Sequence, residues 1–247
     1  MKFYRLVLLL AAAFALVLAA CGDDDGDSGS PTATTTSGST ATATAAPVVA
    51  TPVGPFFDCD VTHASTEPDA SYFPVTVTDG NGDEVTITEP PARIASLDAA
   101  HTEILYAIGA GGQVSAVDNF SNCPAAAGAL SARVDAYNPS VEAITGLEPD
   151  LVITAFDTGD IVAAMRAAGL TVLYLPTPAD IQGTYDDMKL VGNATGHPDE
   201  ADALVTSMIA EVTAIEASVD GEDAPTFYHE VDNTYYSVGP GSFIADL

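Results

Sequence analysis

The sequence predicts an α/β protein built on a mainly parallel sheet. Two observations carry this: short apolar runs alternate with helical segments from residue 93 to about 191, and glycines close several of the helical segments. Strands separated by helices pair in parallel through crossover connections, and helices then cover both faces of the sheet. Ligands of such sheets sit outside the carboxyl ends of the strands.

The elements follow in order. Residues 75–78 and 84–88 alternate with period two around Asp79-Gly80-Asn81-Gly82, which predicts a β-hairpin ended by Pro90 and Pro91. Residues 93–97 read as a buried strand. A helix over 102–108 places Ile104, Leu105 and Ile108 on one face, and Gly109 stops it. The unit then repeats, with a strand over 113–117, a helix over 139–146 capped by Asn138, and a strand over 150–154. A helix over 160–168 closed by Gly169, a strand over 171–175 and a helix from Asp180 to about Val191 complete it.

From Pro198 the pattern changes. Ala201, Leu204, Val205, Met208, Ile209, Val212, Ile215 and Val219 recur at helical spacing. A helix of about twenty residues is about 30 Å long, enough to run from one lobe to another. Strands over 226–231 and 234–238, a turn at 239–241 and the start of a helix at 243–247 follow. One hairpin and a helix stub bury too little apolar surface to form a lobe. The expectation is therefore a fragment whose second lobe is mostly missing.

The charge excludes one class outright. The 247 residues carry 6 Lys+Arg against 35 Asp+Glu, a formal charge of −29, which repels nucleic-acid backbones. Lys2 and Arg5 precede an apolar run over 6–20, the layout of a secretory signal, and too short for a membrane span. It ends in Leu18-Ala19-Ala20-Cys21, which resembles the lipobox of bacterial lipoproteins, with Cys21 as the lipidated residue. Residues 22–55, rich in Thr, Ala, Ser, Gly and Pro, read as a disordered tether, with an end-to-end distance of roughly 30 Å. Without the signal only Arg93, Arg133, Arg166 and Lys189 are basic, and four against 35 acidic residues gives −31. This charge is either a solvated acidic coat or a field that attracts cations. Cys59 and Cys123 remain as an even pair, candidates for a disulfide in an oxidising compartment and without metal-ligand spacing. No G-x-S-x-G elbow, H-E-x-x-H helix or phosphate-cradling glycine loop is present.

Six segments in order then carry a resemblance: VTVTDGNGDEVTITEPPARIASL over 75–97, TEILYAIGA over 102–110, VDNFSN over 117–122, NPSVEAITGLEPDLV over 138–152, the long helical stretch, and YYSVGPGSFI over 235–244. Together they resemble the periplasmic binding proteins that carry cobalamin, haem and iron-siderophores to ABC importers. The resemblance covers about 72–247 and implies two α/β lobes joined by one long rigid helix. It divides the chain into a signal over 1–20, a lipidated tether over 21–55, an N-terminal lobe with its hairpin over 56–196, a connecting helix over 197–220 and the start of a second lobe over 221–247.

The resemblance also implies a site. Phe120, with Asn119 beside it, stands where cobalamin-binding members carry an aromatic facing the ligand. Tyr137 matches a second aromatic with a one-residue shift. Ala155 takes the place of a third, with Phe156 as its neighbour, and Tyr236 matches an aromatic from the second lobe. His101 either approaches the metal of a bound chelate or faces solvent at a helix start. Glu142 matches a surface glutamate that pairs with the permease, and it also suits a helix N-terminus by charge. The implied function is a monomeric, lipid-anchored receptor outside the cytoplasmic membrane. It has no cofactor or metal centre of its own and delivers a metal chelate to an ABC permease. With no arginine expected on a strand-end loop, a neutral or cationic corrinoid ranks before an iron-siderophore or haem. An exported α/β enzyme or a chelatase-like protein of the same architecture is the alternative.

Overall fold

The computed structural model describes residues 64–221, 223, 229–230, 236–239 and 241–246, all within one compact unit, Val53–Leu247. The signal, Cys21, the tether, Cys59 and most of the two strands expected over 226–238 lie outside the described residues. Of those strands the described part is a single antiparallel bridge, Glu230 to Ser237.

The hairpin comprises β1 (Val75–Thr78) and β2 (Glu84–Ile87), in register from Val75 opposite Ile87 to Thr78 opposite Glu84. Period-two alternation turns Val77, Val85 and Ile87 inward and leaves Thr76 and Thr86 outside, where their hydroxyls hydrogen-bond at 2.9 Å. Buried Asp79 organises the turn by accepting the N–H groups of Asn81 and Asp83.

Five parallel strands form the main sheet: β3 (Ile94–Ser96), β4 (Val114–Asp118), β5 (Arg133–Val134), β6 (Leu151–Thr154) and β7 (Val172–Tyr174). Their order is β5-β4-β3-β6-β7, so the chain winds outward from β3 on one side and then on the other. The hairpin guards the β7 edge. Gly80 N–H donates to the Tyr174 carbonyl at 2.7 Å, and a Cβ at Gly80 would meet Pro176 Cδ at 2.1 Å, so only glycine fits there. Arg166 reaches from the helix that precedes β7 to pair with Asp79 and Asp83.

Helices cover both faces: α1 (Ala99–Ala107), α2 (Ala125–Gly128), α3 (Val141–Thr145), α4 (Ile161–Ala167), α5 (Ile181–Thr195), α6 (Pro198–Val219) and the short α7 (Phe243–Asp246). Alternate strand residues serve different cores. Ile94, Leu151, Ile153 and Leu173 join α1, α5, α6 and the hairpin, whereas Ala95, Ala116, Val152 and Val172 join α3 and α4. On α6, Ala201 and Val205 are buried, while Ile209, Ile215 and Val219 are exposed. None of the described helices is long and apolar enough to cross a membrane.

Several boundaries differ from the sequence expectation. Helix α1 begins at Ala99, earlier than 102, because the Asp98 carboxylate accepts the His101 N–H at 3.1 Å and caps it there. Helix α3 is capped by Ser140 and not Asn138, whose N–H is already held by Asp135. Helix α5 passes Gly192 and ends at Gly196, whose φ is +83°. Gly192 serves packing: a Cβ there would lie 2.5 Å from Ala201 Cβ, so its absence lets α6 approach. Helix α2 and strand β5 were not expected; β5 is two residues long and shows no alternation.

Candidate ligand-binding site

The carboxyl ends of β4, β5 and β6 each launch an aromatic residue by the same local device. Asp118 ends β4, and its carboxylate accepts the Phe120 N–H at 3.0 Å and the Ser121 N–H at 2.9 Å. Asp135 follows β5 and accepts the N–H groups of Tyr137 at 3.1 Å and Asn138 at 3.2 Å. Thr154 ends β6, and its hydroxyl accepts the Phe156 N–H at 3.2 Å. In each turn a short polar side chain satisfies the backbone two residues on, as such turns require.

The three rings meet. The Phe120 and Tyr137 centroids are 5.4 Å apart in an edge-to-face arrangement, and those of Tyr137 and Phe156 are 5.0 Å apart and tilted. Phe120 and Tyr137 are more than half exposed, at 57% and 61%, and stand clear of the core, while Phe156 is partly buried and packs against it, so the three rings form a shelf rooted in the core by Phe156.

Arg133 underpins this shelf. Its guanidinium donates to the carbonyls of Asp118, Ser121, Ala127 and Gly128, at 2.8 to 3.1 Å, and so ties down the loop that carries Phe120. The other basic side chains of the described residues are committed elsewhere as well. Arg93 donates to the Leu147 and Glu148 carbonyls, Arg166 holds the hairpin, and Lys189 pairs with Asp202 at 3.1 Å.

Beside the shelf lies a cavity of about 220 Å³. Asp98 after β3, Ala155 after β6 and Thr177 after β7 border it, together with His101, Asp187 and Phe243. It thus sits where the winding of the sheet reverses between β3 and β6, the usual crevice for ligands in open α/β sheets. His101 is buried rather than solvent-facing, with Nδ1 2.9 Å from Asp98 Oδ1. Burial alone raises the Asp98 carboxyl, but the His101 ring and the N–H groups of His101 and Ala100 outweigh it and hold the group below its ordinary value. Burial pushes the Asp187 carboxyl up, opposed by His101 and reinforced by Asp186.

The remaining expected positions are dispersed. Asn119 is exposed and donates its N–H to the Val134 carbonyl at 3.1 Å. Tyr236 is exposed, and among the described residues no ring contact joins it to the shelf. Glu142 is exposed in the first turn of α3. Cys123 is disulfide-bonded; Cys59 lies outside the described residues. Among the described residues no group of three or more His, Cys, Asp or Glu could hold a metal ion. Arg133, Asp98 and Asp187 escaped the sequence reading. The strand-end pattern of Asp or Thr two residues before an aromatic was a signal available for the shelf.

A parallel α/β lobe that presents aromatic rings and a cavity at the carboxyl edge of its sheet is a small-molecule binding unit. Residues 94–247 match the family model described as periplasmic binding protein, and the chain belongs to that family, one of binding proteins and not of enzymes. Over 184 residues it is 29% identical to the uncharacterized ABC transporter substrate-binding lipoprotein YvrC of Bacillus subtilis, covering 71% of this chain and 58% of that protein. It is 30% identical over 182 residues to a cobalamin-binding protein of Halobacterium salinarum, covering 71% and 48%. The fold is shared with the solved haem-binding protein HmuT, at a TM-score of 0.56, 24% identity, and coverage of 68% and 54%. The chain spans about half the length of the curated relatives it matches.

Proposed function

We propose that this chain belongs to a solute receptor of an ABC importer that captures a flat metal chelate, a corrinoid before haem or an iron-siderophore. The observation that carries the reading is the Phe120–Tyr137–Phe156 shelf, three rings aligned on the carboxyl edge of the sheet. Planar faces bury ligand area with little side-chain entropy to lose. An anionic siderophore calls for cations in the cleft, and every basic side chain of the described residues is engaged in structural bonds. Similarity to a protein named as cobalamin-binding supports the same choice. His101 and Asn119 border the ligand from the first lobe, and Tyr236 approaches it from the second. Cys21 carries the lipid that anchors the receptor outside the membrane, Cys59 pairs with Cys123, and Glu142 faces the permease.

Titration of the full-length protein with cyanocobalamin, haemin and a ferric hydroxamate, followed by tyrosine fluorescence, tests the proposal. Saturable quenching by cyanocobalamin with the tightest constant is expected. Preference for the hydroxamate would overturn the ligand class, and no saturable binding of any of the three would overturn the receptor reading.

A further inference from the structure

The cavity beside the shelf has its own chemistry. Its 220 Å³ leaves room for about seven water-sized groups. His101 is only 4% exposed, and its Nδ1 stands 2.9 Å from Asp98 Oδ1 in a poorly aligned contact. A buried ring nitrogen whose one polar contact is poorly aligned leaves the imidazole free to engage a further partner in the cavity. Two carboxylates, Asp98 and Asp187, border the same space, and no lysine or arginine does. Thr177 and Thr184 line it too, but most of the lining is apolar, from Ala100, Ile104, Ala155, Pro178 and Phe243.

We infer that this cavity is a selectivity subsite that takes an uncharged, hydrogen-bond-donating arm of the ligand, a carboxamide, and refuses a carboxylate. The inference rests on the shelf being the platform for the chelate. A carboxamide fits both needs of the lining: its N–H groups donate to the carboxylates, and its carbonyl accepts from a threonine hydroxyl or from a protonated nitrogen of His101. A carboxylate in the same place would face Asp98 and Asp187 with no lysine or arginine to offset it and with His101 already set against Asp98, and such repulsion adds to discrimination by shape. The shelf then supplies affinity for any flat chelate, while the cavity separates amide-armed macrocycles from acid-armed ones.

The test compares cyanocobalamin with its monocarboxylic acid derivatives, in which one side-chain amide is hydrolysed, using the full-length protein at pH 7.5. Wild type should prefer the amide over at least one of the acids by about tenfold or more. Asp187→Asn should narrow that ratio at least threefold by relieving the repulsion, and its fold is expected to hold because burial already disfavours the charged form. Phe120→Ala should weaken amide and acid alike and leave the ratio unchanged. Equal affinity of wild type for cyanocobalamin and every acid, or a ratio unmoved in both Asp187→Asn and His101→Gln, would overturn the subsite and leave the shelf standing. Absence of binding to cyanocobalamin and to the acids alike would overturn both.

Discussion

The rings of Tyr137 and Phe156 lie 5.0 Å apart although they leave β5 and β6, strands separated in the sheet by β4 and β3. Neighbouring strands are about 4.8 Å apart, so the two strand ends are separated by roughly 14 Å. The loops must lean toward each other to bring the rings together. Tyr137 is the middle ring, touching both Phe120 and Phe156.

Removing the middle ring should therefore cost more than removing an outer one. Tyr137→Ala takes away a face for the ligand and the edge that holds Phe120. We expect binding of a flat chelate to weaken by about 2 to 3 kcal/mol, against about 1 to 2 kcal/mol for Phe120→Ala. Isothermal titration of each variant measures this, and an unchanged constant for Tyr137→Ala would move the ligand off the shelf.

How much of this was legible in the sequence depended on whether the signal was local. The hairpin was written in the alternation of Val77, Val85 and Ile87, and the parallel strands in their short apolar runs. The end of α5 at Gly196 rather than near Val191 was not legible, because a glycine in a helix has two uses, stopping the chain or admitting a neighbour, and only the approach of Ala201 to Gly192 tells which applies. His101 was ambiguous because a histidine near a helix start has no fixed burial; packing beneath the strand-end loops decided it. Asp187 lies 89 positions from Asp98, and no pattern in a single sequence brings two such residues to one cavity. Arg133 was invisible for a related reason, since its partners are backbone carbonyls, which carry no sequence identity.

Arg133 has a testable consequence. Arg133→Met keeps the apolar stem but leaves five carbonyls, that of Leu130 included, without their charged donor. Hydrogen bonds to charged groups contribute about 1.5 to 3 kcal/mol each, and because some of these carbonyls can turn to water the net loss should be about 2 to 4 kcal/mol. Urea unfolding should show it, with ligand affinity falling too because the Phe120 loop loses its tie. Unaltered stability and affinity would mean that Asp118 holds the loop by itself.

Glu142 separates capture from delivery. It lies exposed on α3 and is not among the residues that line the cavity. Glu142→Ala in the complete protein should leave chelate affinity within twofold and lower uptake through the permease several-fold. Loss of a helix N-terminal carboxylate alone costs only about 0.3 to 1 kcal/mol of stability, too little to mimic that effect. Full uptake by the variant would remove Glu142 from the docking surface.

The joint between α5 and α6 makes stability depend on pH. His197 is wholly buried there; its Nε2 is 3.0 Å from Gln113 Oε1 and its Nδ1 3.1 Å from Thr66 Oγ1. Gln113 spends its amide nitrogen on the Pro91 and Thr195 carbonyls, so its oxygen faces the ring and Nε2 carries the proton. Burial lowers the pKa of His197 from its ordinary 6.5, against a smaller opposing pull from Glu200. The unfolded chain therefore takes up this proton before the folded one does, and stability is full above about pH 6.5 and declines as pH falls below it. Thermal melts from pH 8 to 5.5 should show that decline, above the range where most carboxylates titrate. Glu200→Gln should deepen it by removing the charge that helps the imidazolium. A flat profile in both proteins would mean that the buried ring accepts its second proton at no cost, with Thr66 turning its hydroxyl hydrogen away so that its oxygen accepts from Nδ1.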